Sequence, residues 1–148
     1  MPTELHDKTG DHIQTVGKEW GATTGRRRRV GWLDVPATRY GIKMGGIDVL
    51  ALTKIDVLDE LDEIGICVVY EVDGKRYNDI PSADPDFMGK AKPIIELQRG
   101  WRKTTSGIRT FETLPFRTKQ YIKRVQDLVG VPITMVSNGP EREAIIYR

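Results

Sequence analysis

Four consecutive arginines, Arg26 to Arg29, follow Ala22, Thr23, Thr24 and Gly25 in the stretch GATTGRRRRVGWLD. An arginine guanidinium is a planar fork of donors that matches two oxygens of a carboxylate or phosphate. The threonine hydroxyls can add donors, and glycine lets a ligand approach the main chain. A compact loop of Ala22, Thr23, Thr24, Gly25, Arg26, Arg27 and Arg28 therefore has the chemistry to grip a small dianion. Taken alone, the simpler reading is a solvated charge run, a general polyanion patch or a localisation signal.

Two further segments have base-reading chemistry. In TKID, Thr53 to Asp56, a carboxylate follows an apolar run. Asp56 can accept from the N1–H and exocyclic amino group of guanine, a donor pair that adenine lacks, while the Lys54 stem lies along a base face. In SNGP, Ser137 to Pro140, polar groups again follow an apolar run. Ligands of open α/β sheets bind beyond the carboxyl ends of the strands, so the two segments could line one pocket. The simpler readings are a surface lysine beside a helix-capping aspartate, and an ordinary turn. No G-x-x-x-x-G-K-[ST] loop, C-x-x-C pair or H-E-x-x-H motif occurs. His6 and His12 are poorly spaced for shared metal ligation and read as surface residues. Asp59, Glu60, Asp62 and Glu63 lack a calcium-loop pattern and read as a solvated helix face.

These segments must be held by a domain of ordinary size, since the chain has 148 residues. With 23 basic and 21 acidic residues the net charge is only +2. That is far less lopsided than a dedicated nucleic-acid binder, and no aromatic stacking stripe is present. The lone cysteine, Cys67, lies in ICVVY and reads as a packed small hydrophobe consistent with a reducing compartment. The polar start PTELHDKTGD has no secretory apolar stretch, and no run is long enough to span a bilayer. These features predict a soluble, cytoplasmic protein with no nucleic-acid or membrane partner.

Hydrophobic periodicity places the elements. Ile13, Val16 and Trp20 fall on a helical spacing that Gly10 and Gly17 weaken, and Gly21 to Val30 reads as loop. Asp34 is a helix N-cap with Pro36 in the first turn; the helix ends at Gly45-Gly46. Val49 to Thr53 suits a strand buried on both faces, as in a parallel sheet, with a short helical segment from Val57 to Leu61. Ile66 to Val72, the turn Asp73-Gly74 and Lys75 to Asn78 form a hairpin. Ile80 to Lys92 reads as loop, Pro93 to Gln98 as strand, and Thr104 to Thr113 as turns. The clearest helix runs from Pro115 to Val129, apolar along Ile122, Val125 and Val129; Gly130 ends it, and Pro132 to Val136 is a strand. The fold class is α/β, a mixed, partly parallel sheet with flanking helices.

In their order and spacing, PTELHDKTGDHI, GATTGRRRRVGWLD, LALTKIDVLDELDEI and GVPITMVSNGPER make the chain resemble the C-terminal portion of adenylosuccinate synthetase. The resemblance covers nearly the whole chain. It implies a family that joins IMP and L-aspartate using GTP and Mg2+, giving adenylosuccinate, GDP and phosphate. It implies that Ala22 to Arg28 form the aspartate-binding loop, with Thr23, Thr24, Arg26 and Arg28 on the carboxylates. Arg26 would also touch IMP and Arg28 would reach toward GTP. Lys54, Ile55, Asp56, Ser137, Asn138 and Gly139 match the guanine-reading positions, although the family usually has threonine in place of Asn138. The family's phosphate-binding loop, catalytic aspartate and catalytic histidine lie in an N-terminal part absent here. So this sequence offers no catalytic residue, and the Mg2+ site is expected in that absent part. The resemblance further implies part of a larger P-loop-type nucleotide-binding fold, with residues 1–34 as substrate-loop segment and 35–148 as sheet and guanine pocket. It implies a homodimer for the complete enzyme, and a single chain inactive by itself and prone to self-association. The rival class is a free-standing guanine-nucleotide, RNA or polyanion-binding module without catalysis.

Overall fold

The computed structural model describes residues 1–81 and 84–148. Its elements run α1 (Lys8–Val16), β1 (Leu33–Asp34), α2 (Val35–Gly45), β2 (Leu50–Leu52), β3 (Glu63–Val72), β4 (Lys75–Tyr77), α3 (Phe87–Lys90), β5 (Lys92–Arg99), α4 (Phe116–Val129), β6 (Ile133–Ser137) and β7 (Ile145–Tyr147). A short 3-10 turn, Ile55–Leu58, follows β2, and a second, Arg142–Ala144, precedes β7.

The mixed sheet is divided in two. In one, β3 pairs in parallel with β1 and antiparallel with β4 and β5. In the other, β6 pairs in parallel with β2 and antiparallel with β7. The first is built on long strands, β3 with ten residues and β5 with eight, while β2 in the second has three. The expectation for Val49 to Thr53 needs correction. β2 keeps the parallel pairing, but it is not buried on both faces: Val49 and Ala51 are exposed. Among the described residues it has one neighbour, β6, and is an edge strand.

Helix ends follow their local chemistry. The Asp34 carboxylate accepts from the Ala37 amide at 3.0 Å, and Pro36 sits in the first turn. Gly46 closes α2 in the left-handed conformation, φ 59°. Asp7 caps α1 by accepting from the Gly10 amide at 3.0 Å, so α1 forms despite Gly10 and stops at Gly17. The segment from Ile80 to Lys92 contains the turn α3 as well as loop, and its Ser82 and Ala83 lie outside the described residues.

One core joins both sheets. Ile122, Val125 and Val129 of α4 pack with Ile64 and Ile66 of β3, Ile133 and Val136 of β6, and Ile55. A smaller cluster gathers Cys67, Tyr70, Val72 and Phe87 behind the β3–β4 hairpin. Cys67 is fully buried there, and burial pushes its thiol pKa up to about 12, which keeps it protonated and unreactive.

Ile122 has no exposed surface at the meeting point of the two sheets. Ile122→Ala is expected to lower stability by about 2–5 kcal/mol, read as a shift of the urea midpoint with an unchanged slope. A loss well under 1 kcal/mol would show that α4 is not the joint between the sheets.

Candidate functional site

The loop after α1 is compact. The Gly25 amide donates to the Gly21 carbonyl at 2.9 Å, the Gly21 amide donates to the Arg26 carbonyl at 2.8 Å, and Thr24 Oγ1 accepts from the Arg26 amide at 3.3 Å. Gly25 has φ 63°, a left-handed conformation, with open space where a side chain would stand. Ala22 to Arg29 are all exposed.

Three of the four arginines rest on nearby acids. Arg27 pairs with Asp11 at 2.9 Å, Arg28 with Glu19 at 3.3 Å, and Arg29 with Glu4. Among the described residues no carboxylate lies within ion-pair reach of Arg26. The paired guanidiniums remain 58–64 % exposed, so they are held in place without being sealed off.

Lys54 stands where β2 ends, in the left-handed conformation with φ 61°, which is unusual for a residue with a side chain. Its amide donates to Ser137 Oγ at 3.2 Å, while its ammonium donates to the Gly17 carbonyl at 2.9 Å and to the Glu19 carboxylate. Glu19 therefore takes Lys54 on one oxygen and Arg28 on the other. Arg28, Glu19, Lys54 and Ser137 form one continuous polar chain, so all three segments singled out by the sequence lie on the same side of the molecule. The sequence gives little warning of Glu19. Its partners lie 9 and 35 residues away, and only its place just before the arginine loop marks it.

Asp56 lies in the first turn of the 3-10 segment Ile55–Leu58. One carboxylate oxygen, Oδ1, is buried without a hydrogen-bond partner. Burial raises the Asp56 pKa, and repulsion from Asp59 and Glu141 adds to the effect. Glu141 also crowds Gly139: a side-chain carbon on Gly139 would stand 3.0 Å from Glu141 Oε2. Recesses border each segment. One of about 450 Å³ includes Glu19, Arg29, Thr53 and Lys54 in its lining. Another, about 220 Å³, is walled by Thr53, Ser137, Gly139 and Glu141 among others. Asp56 lines neither of these; it borders a third, of about 610 Å³, with His12, Asp59 and Arg102.

Two predicted site residues face elsewhere. The Ile55 side chain is buried in the core, so only its main chain is available to a ligand. The Asn138 side chain also points inward, its amide donating to the Thr105 and Ile108 carbonyls, the latter at 2.9 Å. Two other readings change. Asp59 is no solvated carboxylate: it accepts from Trp101 Nε1 at 2.7 Å and from the Thr105 amide and hydroxyl. His6 is exposed, but His12 is half-buried, with Nε2 enclosed and without a partner. The change at Asp59 comes from the turn-rich segment that starts at Trp101 and folds back onto the end of the 3-10 turn.

Over residues 1–146 the chain matches the family profile described as adenylosuccinate synthetase. The chain belongs to the adenylosuccinate synthetase family. It is 46 % identical over 146 residues to the adenylosuccinate synthetase of Synechococcus sp. (strain RCC307), and 48 % identical to the organellar chromatophore adenylosuccinate synthetase of Paulinella chromatophora. Each alignment takes in 99 % of this chain and 33 % of the relative, so the chain spans about a third of the length of these curated relatives. A solved structure described as fully ligated adenylosuccinate synthetase from Plasmodium falciparum superposes with a TM-score of 0.94 at 32 % identity, covering 100 % of this chain and 36 % of that one. The α/β fold with its partly parallel pairing is thus the adenylosuccinate synthetase fold over this stretch. Among the described residues no helix is long and apolar enough to cross a membrane.

The shared position of Glu19 makes a direct prediction. Hydrogen bonding from Lys54 holds the Glu19 carboxyl below its usual pKa, and Arg28 adds to the effect. A depressed acid stabilises the fold above the ordinary carboxyl range, and that contribution is lost as pH falls through the depressed value. Glu19→Gln should cost under about 1 kcal/mol at neutral pH, because both partners are half exposed. It should also flatten the acid side of the stability profile in thermal melts across pH 3–7. An unchanged acid limb would mean that the ion pairs carry no stability.

Proposed function

We propose that this chain supplies the amino-acid and guanine subsites of an adenylosuccinate synthetase, the ligase of purine biosynthesis that joins IMP and L-aspartate using GTP. The observation that carries this reading is the polar chain Arg28–Glu19–Lys54–Ser137, which brings the arginine loop and both base loops to one side. Thr23, Thr24, Arg26 and Arg28 would grip the two carboxylates of aspartate through charge-assisted bonds. Arg26, unpaired among the described residues, is available to IMP, and Arg28 to GTP. Asp56 would accept from the guanine N1–H and amino group, where its Oδ1 now lacks a donor. Lys54 would lie along the base, while Ser137 and the main chain of Ile55, Asn138 and Gly139 would frame it.

Among the described residues no group of three or more histidine, cysteine or acidic side chains gathers as a metal site. In this reading Mg2+ and the catalytic groups are supplied by parts of the family fold beyond these residues. The isolated chain is expected to give no turnover, and robust GTP-dependent adenylosuccinate formation by the pure chain would overturn that.

Calorimetry with GTP, ATP and guanosine tests the base reading. GTP should bind more tightly than ATP, and Asp56→Asn should cut that preference at least tenfold, because a carboxylate accepting two base donors is lost. Asp56 must be ionised to accept both. With its pKa raised, the preference should fade on acidification at a higher pH than an ordinary aspartate would give. Equal affinity for GTP and ATP would reject Asp56 as the base reader. Binding of heparin and RNA alike, with steep salt dependence, would instead favour a charge-driven polyanion module.

A further inference from the structure

Thr105 is fully buried and lies in neither base loop, yet its polar groups reach toward both. Its amide donates to Asp59 Oδ2 at 2.6 Å, and its hydroxyl donates to Asp59 Oδ1 at 2.9 Å. Asp59 closes the turn that begins at Lys54, its amide donating to the Asp56 carbonyl at 3.1 Å. On the other side the Thr105 carbonyl accepts from the Asn138 side-chain amide, whose second bond goes to the Ile108 carbonyl at 2.9 Å. The Asn138 amide donates to the Ala144 carbonyl at 3.1 Å, which anchors the start of the second loop. Trp101 Nε1, donating to Asp59 at 2.7 Å, fixes the same carboxylate from a third direction.

We infer that Thr105 is a positioning residue, a strut that joins the Lys54–Asp59 turn to the Ser137–Gly139 loop and sets the spacing between them. Three features support this. Thr105 and Asn138 are 0 % and 1 % exposed, so their bonds are sheltered from competing water. Asn138 spans to two carbonyls with a side-chain amide, a pair of bonds that a threonine at this position cannot donate. Among the described residues one hydrogen bond joins the two loops directly, from the Lys54 amide to Ser137 Oγ, and it is exposed. The strut is a buried connection between them. The loops' role in reading guanine rests on the function proposed above; the strut itself does not.

The test uses the full 148-residue chain and substitutes each end of the strut. Asp59→Asn removes an acceptor for Thr105, and Asn138→Ala removes the donor to it. Native-state amide exchange is read at Asp59, Thr105 and Asn138, with Val125 in α4 as reference. Each substitution should speed exchange at least tenfold at the opposite end as well as its own, with Val125 unchanged. Acceleration confined to the mutated end, or spread equally to Val125, overturns the strut. Thr105→Ser keeps the hydroxyl and should preserve slow exchange at both ends; loosening like that of Asp59→Asn would count against it. A second arm compares GDP with ADP. If the wild-type chain prefers GDP, both end variants should lose at least tenfold of that preference. A preference kept within twofold shows that the strut does not set the spacing of the two loops. If the wild-type chain shows no preference while the exchange result holds, the guanine reading fails and the strut stands.

Discussion

The parallel pairing of β2 with β6 is the constraint from which the site follows. Leu50 lies against Ile133 and Leu52 against Val136, so the two strands end side by side. Chains leaving parallel strands in the same direction deliver their loops to the same edge. The residues after Leu52 and after Val136 therefore face one another whatever their sequences. The register shift between Leu50 and Ala51 sets how far each strand reaches. The remaining requirements on this edge are local. Lys54 must turn the chain in a left-handed conformation, and Gly139 must leave room for Glu141. Both serve to keep polar groups near an opening that the strands have already placed.

Charge near this edge is arranged to be loose. A half-exposed lysine and arginine sharing one glutamate gain little free energy, since solvent competes for both cations. In the proposed reading that weakness is useful: ligand carboxylates or phosphates can replace Glu19 on Arg28 at small cost, whereas a sealed ion pair would resist exchange. The arginine loop is positioned by its own turn bonds and by Asp11 of α1 with Glu4 and Glu19 on either side of that helix, and its guanidiniums stay largely in water. The positive charge is thus stored near the site without the large desolvation penalty of a buried cluster.

The elements were legible wherever a local rule fixed them. Asp34 and Gly46 mark the ends of α2 through capping chemistry, α4 follows from the spacing of Ile122, Val125 and Val129, and Asp73-Gly74 fixes the β3–β4 turn. Burial was less legible, because it depends on neighbours: Val49 to Thr53 has the composition of an interior strand but lies at an edge. The site was legible by segment and not by side chain. TKID and SNGP carry base-reading chemistry in their residue types, but which way Ile55 and Asn138 turn is decided by residues far along the chain. Ile55 is drawn into the core by α4 and β6, and Asn138 by two carbonyls of the segment after Trp101. Asp59 was misread for the same reason. Its acidic neighbours suggest solvent, while its partners are a tryptophan and a threonine more than 40 residues away.

The unpaired Asp56 oxygen links stability to the proposed function. A buried acceptor without a donor costs roughly 1–3 kcal/mol, and its raised pKa shows that the fold opposes ionisation there. Because the folded state holds this proton more tightly than the unfolded chain, the group's effect on stability runs opposite to that of Glu19: it weakens the fold as pH rises through the raised value. A turn carrying such a group needs other bonds to keep its shape, and Asp59 provides them three residues later. Its two oxygens are saturated by Trp101 and Thr105. The same short turn thus holds one carboxylate bonded at both oxygens and one with a buried, unpaired oxygen. In the proposed reading, the bonded group preserves the geometry in which the unpaired one meets its donor.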